Sequence, residues 1–444
     1  MTEPTPASTG PDDSPVDPQT LRDLAEELRG IVGPDGVSDD PAVLARVSVD
    51  EATMSPILRP RIPSRTADLH ATPRSAEQIA QVVGAAVRHG VPVTVRGRGT
   101  GNYGQGIPLR GGLLLETTRA KTIVELAEGR LLAEAGARMI DLERAARESG
   151  QQLWMYPSTV QSSLGGFLAG GSGGTGSLTR GWIEDGFVRS LDVAHATGQG
   201  ELTHIDAADV LPYLHAYGTT GVIAAAEVAL EPALDWVSVW ASIPDFRAAQ
   251  RALLQVTEFD PAPRIASTDM AAINESFPPR SPVTSGQASF RAVVVRSQLP
   301  QLEELVERAG GRIEEVREGL QAVMAISLLS YNHPLWHMIR ATGGEYFHVE
   351  TGGMALVDAF DDVIGVFPGA VMHLDASVGF PIGMVGAPFE SEEAVEAGVR
   401  RLQELGLFAR SPHHWTLDRR ADLAASVAAL TDPHGLLNPG KLPA

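Results

Sequence analysis

The stretch Pro92–Gly112, PVTVRGRGTGNYGQGIPLRGG, sets glycine at 97, 99, 101, 104 and 106 directly after the β-branched run Val93-Thr94-Val95. Glycine lets a backbone come close to a ligand and adopt dihedrals other residues avoid. Successive bare N–H groups in such a loop form a concave site for phosphate oxygens. The chemistry this spacing suits is the cradling of a cofactor pyrophosphate. Gly99, Gly101 and Gly104 also satisfy G-x-G-x-x-G, but that fingerprint needs a helix directly after the loop. Here Ile107-Pro108-Leu109-Arg110-Gly111-Gly112 runs into Leu113-Leu114-Leu115, which reads as turn and strand. The Rossmann reading fails on context.

A second kind of chemistry needs histidine, which titrates near neutrality and suits proton acceptance. Tyr331-Asn332-His333-Pro334-Leu335-Trp336-His337 and Ser411-Pro412-His413-His414-Trp415 are two polar-aromatic clusters. A third, Glu345-Tyr346-Phe347-His348-Val349-Glu350, alternates as a strand does, with Tyr346, His348 and Glu350 on one side. The candidates for a base are His413, His414, Asn332 with His333, and then Tyr346, whose phenol could hydrogen-bond a substrate hydroxyl. His337 and His434 read as surface or turn residues, and Trp336 and Trp415 as core. Arg291 and Arg340 could bind a carboxylate bidentately, with Arg291 equally readable as a solvated strand residue. No metal site is expected: His373-Leu374-Asp375 lacks a second ligand at helical spacing.

The elements that must position these groups follow from periodicity. Pro18–Val32 reads as a helix with Leu21, Leu24 and Leu28 on one face, and Ser75–His89 as a helix capped by Ser75. Ile140–Gly150 is a further helix. Ser190–Ala196 and Val222–Leu230 read as strands, separated by the turn-rich Tyr217–Gly221. Past Pro232 helices and strands alternate: helices over 245–255, 301–309 and 392–405, strands over 289–295 and 369–378. That texture predicts an α+β sandwich with helices on one face. At 444 residues the chain is too long for one ordinary core. Its net charge of -20 argues against nucleic acid or an anionic membrane as partner. It has no cysteine, which excludes disulfides, zinc–thiolate sites, iron–sulfur clusters and cysteine-linked flavin. The acidic, proline-rich start lacks the marks of a secretory signal and reads as a disordered tail. No apolar run is long enough to span a bilayer, and a cytoplasmic location is expected.

Four blocks now stand in order: RGRGTGNYGQG, PSTVQSSLGGFLAGGSGGTG, GTTGVIAAAEVAL and the terminal DPHGLLNPGK. Together they resemble the vanillyl-alcohol oxidase/p-cresol methylhydroxylase flavoproteins, and look most similar to the flavin-linked 2-hydroxy-acid dehydrogenases such as the glycolate oxidase flavin subunit. The resemblance covers roughly residues 60–235 and the last dozen. It implies an α+β, two-subdomain PCMH-type FAD-binding domain over residues 21–235, after a tail over 1–20. An α+β cap with an antiparallel sheet would span 236–408, and a C-terminal return 409–444. By motif, Arg96, Gly97, Arg98, Gly99, Thr100, Gly101, Asn102, Tyr103 and Gly106 would cradle the pyrophosphate. Pro157, Ser158, Thr159, Ser163, Gly165 and Gly166 would line the ribityl chain and flavin edge. Gly221, Val222 and Ile223 would meet the adenine end, with Asn438 and Lys441 returning near the flavin. Covalent members of one branch carry histidine where this chain has Thr100, so non-covalent FAD is expected. The cap also lacks the His–Gly–x–Gly–Asp-like segment of metal-binding members. The implied function is hydride transfer from an alcohol or hydroxy acid to the flavin. Electrons would pass to oxygen, a quinone or an electron-transfer protein. A small-molecule substrate and that acceptor are the expected partners, with a homodimer left open. Two alternatives stand beside it: a flavin-assisted non-redox transferase like alkyl-dihydroxyacetone-phosphate synthase, and a non-catalytic flavoprotein subunit.

Overall fold

The computed structural model describes residues 15–278, 281–343 and 345–443. Of the expected tail 1–20, residues 1–14 lie outside the described residues, and Pro18–Thr20 already belong to the first helix. That helix, Pro18–Val32, starts where Asp17 accepts hydrogen bonds from the backbone N–H of Gln19 and Thr20. It packs Leu24 and Leu28 against the helix Ala76–Arg88 and a small sheet. The sheet runs in the order Val37–Ser38, Leu69–Ala71, Leu113–Glu116, Val93–Arg96, and the last three strands are parallel. Leu113–Glu116 follows the glycine loop as a strand, as its leucines predict.

A second, antiparallel sheet takes the order Ile123–Ala127, Arg130–Glu134, Val222–Pro232, Val188–Ala194, Leu202–Asp206, with Gln151–Leu153 also paired to Val222–Pro232. Val222 and Ala224 of Val222–Pro232 pack toward the first sheet's core, while Ile223 and, beyond a register shift between Ile223 and Ala225, Ala226 and Val228 pack into its own. The irregular strand thus joins the two layers.

The remaining strands form one eight-stranded antiparallel sheet. Its order is Arg312–Glu318, Trp236–Ile243, Ala288–Val295, Ile265–Asp269, Val371–Asp375, Ile382–Pro388, Tyr346–Gly352, Phe408–Arg410. Helices cover both faces of this sheet rather than one. Val237, Val239, Ala241 and Ile243 meet the helices Phe246–Val256 and Leu299–Arg308 on one side. On the other, Trp236 and Trp240 meet Leu320–Ser327 and His333–Thr342. The physical reason is that Trp236–Ile243 carries large apolar residues in both registers, so every residue of it is buried. A one-sided sheet would expose the tryptophans.

The C-terminal segment returns across the molecule. Val93 N–H donates to Leu436 O at 2.8 Å and Asn438 N–H to Val93 O at 2.7 Å, so the chain's end lies beside the strand that leads into the glycine loop. Among the described residues no helix is long and apolar enough to cross a membrane.

Candidate cofactor and substrate site

The glycine loop begins where the strand Val93–Arg96 ends. Among the described residues, none of the backbone N–H groups of Arg98–Asn102 has a hydrogen-bond partner within the chain. Five consecutive bare donors make the concavity that phosphate oxygens fit. The far half of the loop is pinned from outside. Asp50 Oδ2 accepts from Gly104 N–H at 2.9 Å, and Asn438 Nδ2 donates to Gln105 O at 3.0 Å and Tyr217 O at 2.7 Å. Lys441 Nζ donates to Gly104 O. Burial pushes Lys441 down to about 7, against the opposing pull of Asp50, and burial raises Asp50.

The glycines divide by what a side chain would meet. A Cβ on Gly97 would strike Ser163 Oγ, so Gly97 lets the loop pack on the start of the helix Leu164–Gly170; one on Gly165 would meet Ala135 Cβ at 2.7 Å, so Gly165 lets that helix pack on the end of the strand Arg130–Glu134. A Cβ on Gly101 would touch Gln105 at 3.1 Å. At Gly106 and Gly170 it would meet no protein atom within 4 Å, and both line the cleft beside the loop. Bare N–H groups and glycines that open onto the cleft fit the pyrophosphate of FAD.

That cleft is walled by Arg96, Gly97, Arg98, Gly99, Thr100, Gly101 and Gly106 on one side, and by Pro157, Thr159, Ser163, Gly165, Gly166 and Ile223 on the other. Gly221 and Val222 do not line it. Gly221 faces Val193 and His195, where a Cβ would collide, and Val222 is core. The cleft continues, through Thr100, Gly101, Pro157 and Thr159, into a cavity of about 930 Å³ beneath the cap sheet. Asn102, Tyr103, Ser158, Asn332, His333 and His414 line this larger space.

His413 and Tyr346 do not. The tight turn in which His414 N–H donates to Pro412 O at 2.8 Å sends the two neighbouring histidines to opposite sides. His413 points inward, its Nε2 3.0 Å from His348 O and 3.2 Å from His348 N; burial pushes it down to about 4. His414 Nδ1 lies 2.8 Å from Thr416 O. A carbonyl can only accept, so Nδ1 carries a proton, and in the neutral ring Nε2 is the nitrogen with the lone pair. Tyr346 packs against the tryptophan core of the cap. His333 lines the cavity, but burial lowers it to about 4. Asn332 Nδ2 donates to Tyr103 Oη at 2.8 Å, and that hydroxyl lies 2.9 Å from His348 Nε2.

Sequence reasoning missed a charged cluster on the cavity wall. Arg410 bridges Glu350, at 2.6 Å from Nε, and Asp418. His215 Nε2 lies 3.2 Å from Tyr217 Oη and 3.5 Å from Asp418 Oδ1. Burial alone would raise Asp418, but His215 and Arg410 overcome it and hold the carboxyl at about 2. The available signal was local: His215 and Tyr217 stand immediately before the third glycine block, where the structure gives both a positive φ.

Arg291 is not a substrate ligand. It is fully buried, bonded to Asp269 and to Leu329 O at 2.6 Å. The chain of charges continues from Asp269 Oδ1 to His373 Nδ1 at 2.8 Å and from His373 Nε2 to Asp375 Oδ2 at 2.9 Å. Asp375 also accepts from Tyr331 N–H at 2.8 Å on the cavity wall. Burial alone would depress His373; Asp375 and Asp269 on either side raise it to about 9. Among the described residues no group of three or more His, Asp or Glu side chains is arranged to hold a metal.

Comparison with known proteins converges on this geometry. The family model described as "FAD binding domain" matches residues 67–205. Uncharacterized FAD-linked oxidoreductases of Mycobacterium tuberculosis are 27% identical over 267 residues, covering 57% of this chain and 56% of theirs. The match thus spans about half the length of those relatives. The D-lactate dehydrogenase of Archaeoglobus fulgidus is 28% identical over 128 residues, 29% of each chain. Glycolate oxidase subunit GlcD of Escherichia coli is 29% identical over 140 residues, 31% of this chain and 28% of that one. A solved alkyldihydroxyacetonephosphate synthase superposes with a TM-score of 0.74 over 95% of this chain and 86% of that one, at 17% identity, a likeness of fold. The chain carries an FAD-binding domain.

Proposed function

We propose that the chain is an FAD-dependent oxidoreductase that takes a hydride from an alcohol or hydroxy acid in the cavity between the glycine loop and the cap. The observation that carries this reading is continuity: the cleft with bare N–H groups opens directly into a large cavity lined by His414, Tyr103 and Asn332. When bound, FAD supplies a two-electron acceptor. The chain's own task is to orient the carbinol carbon and remove the hydroxyl proton. His414 Nε2, with its lone pair free, suits that proton, and Asp418 Oδ2 at 3.9 Å steadies the imidazolium that results. Asn332 offers an amide to orient a hydroxyl once Tyr103 yields it. The acceptor that reoxidises the flavin belongs to the same reading, as oxygen, a quinone or an electron-transfer protein.

FAD is held without a covalent bond in this reading. Thr100 stands at the attachment position and its Oγ1 is 2.8 Å from Ser162 Oγ. Acid precipitation is expected to leave yellow pigment in the supernatant; pigment retained in the pellet overturns it. The decisive experiment for the reaction is anaerobic mixing with a panel of alcohols and hydroxy acids. Bleaching of the flavin band by a member supports the oxidoreductase. Consumption of a phosphate ester with the band unchanged would instead favour a flavin-assisted transferase, for which arginines on a neighbouring cleft offer a phosphate site.

A further inference from the structure

Beside the main cavity a second cleft, of about 640 Å³, opens between the glycine loop and the cap helices Leu320–Ser327 and His333–Thr342. Its charged lining is Arg98, Arg317 and Arg340 against a single carboxylate, Glu51. In a chain of net charge -20 that is a local reversal of sign. The main cavity has the opposite balance, with Arg410 and Arg419 facing Glu350, Asp375 and Asp418.

The arginines are not all spent. Arg98 has no hydrogen-bond or ion-pair partner among the described residues. Arg340 is paired to Glu51 at 3.0 Å, but both side chains are about half exposed, 53% and 47%, so the pair is weak and exchangeable. Arg317 is bonded to Glu315 at 2.7 Å and lies over the Trp240 ring, 5.0 Å from its centroid. Two further donors line the same cleft. Trp240 and Trp336 are each 2% exposed, and neither indole N–H has a partner. A buried N–H with no partner in the chain calls for an acceptor from outside it. Water would satisfy the indoles but leave the positive charge. A group that only accepts, and is negatively charged, answers both.

We propose that this cleft binds the carboxylate or phosphate end of a small ligand, with Arg340 and Arg98 as charge partners and the Trp240 and Trp336 indoles as donors. The proposal rests on the oxidoreductase reading in one respect. The two cavities share Thr100, Asn102, Thr159 and His333 in their walls, so a ligand anchored here extends toward the place proposed for hydride transfer.

The test uses the FAD-loaded protein with its flavin reduced beforehand under anaerobic conditions, so that no hydride can be taken from the ligand. Isothermal titration calorimetry is run with glycolate and lactate, with inorganic phosphate and glycerol phosphate, and with neutral propanediol. At least one oxyanion is expected to bind saturably and propanediol not to bind. Arg340→Gln is expected to weaken that binding roughly tenfold or more, as loss of a charge-assisted hydrogen bond does. Trp240→Phe, which removes the indole donor and leaves a smaller aromatic ring, should weaken it severalfold with flavin content unchanged and a modest fall in melting temperature, while Arg340→Gln should change neither. Binding of carboxylates alone or of phosphates alone identifies the source of the anion. The proposal falls if no oxyanion binds, or if both variants bind it as the parent does. Because no reduction of flavin is read, a protein that binds the anion yet never bleaches would sink the oxidoreductase reading and leave this one standing.

Discussion

At the scale of single residues, one turn decides which histidine meets the cavity. The pair His413-His414 is visible in the sequence, but not its division of labour; that follows from the bond between His414 N–H and Pro412 O. His414→Ala is expected to slow anaerobic flavin reduction by about 10²–10⁴-fold with FAD retained, the usual cost of losing a general base. Reduction at the parent rate by that variant removes His414 from the mechanism. His413→Ala is expected to act on folding instead, because it deletes a buried ring packed edge-on to His348 at 4.7 Å; its melting temperature should fall with little change in the reduction rate. Gly106→Val places a side chain into the open cleft, so purified protein is expected to come out colourless. A full complement of FAD in that variant would show that the cleft is not the pyrophosphate site. Arg291 shows where reading by residue type stops. As an isolated arginine it suggests a carboxylate ligand, yet its partner Asp269 stands on the neighbouring strand, and only the register of that pair reveals the match.

At the scale of elements, much was legible. The helices Pro18–Val32 and Ala76–Arg88 follow from apolar spacing and capping, and the glycine loop's exit as a strand follows from Pro108 and three leucines. The second face of the cap sheet was not, because a strand such as Trp236–Ile243 that is apolar in both registers carries no periodicity to read. Nor was the buried chain Arg291–Asp269–His373–Asp375, assembled from three adjacent strands. That chain makes a pH prediction. His373 is raised from 6.5 to about 9 in the fold. Its contribution to stability is therefore fully present below about pH 6.5 and is lost as pH rises through about 9. The stability difference between the parent and His373→Gln, from urea melts, is expected to be largest near pH 6 and to shrink toward pH 9. A difference that is flat across this range means that the imidazole is not charged in the fold. Asp375 ties the same chain to the cavity wall through Tyr331, so the network also stiffens the floor on which a substrate would lie.

At the scale of the whole molecule, the four sequence blocks are brought to one place from far apart in the chain, which is why their common order was more telling than any one of them. The cap is inserted between the layers that carry the glycine loop and the segment that pins it. Asn438 and Lys441 reach loop residues 333 and 337 positions earlier. Asn438→Ala would strand two buried carbonyls and is expected to cost about 1–3 kcal/mol; its FAD should wash out more readily on gel filtration, and unchanged retention would show that the loop holds its shape unaided. The lateness of that pin has a consequence for biosynthesis. A ribosome must have made both sheets and the whole cap before the residues that close the loop emerge, so a nascent chain can display all of these and still have an open loop. Loading of the vitamin-derived cofactor is then expected to await emergence of Asn438 and Lys441. Chains arrested before Asn438 would then be apoprotein, unable to draw down the supply of the vitamin. Ribosome–nascent-chain complexes arrested before Leu436 emerges, incubated with FAD and pelleted, should come down colourless, while complexes in which Lys441 has emerged turn yellow.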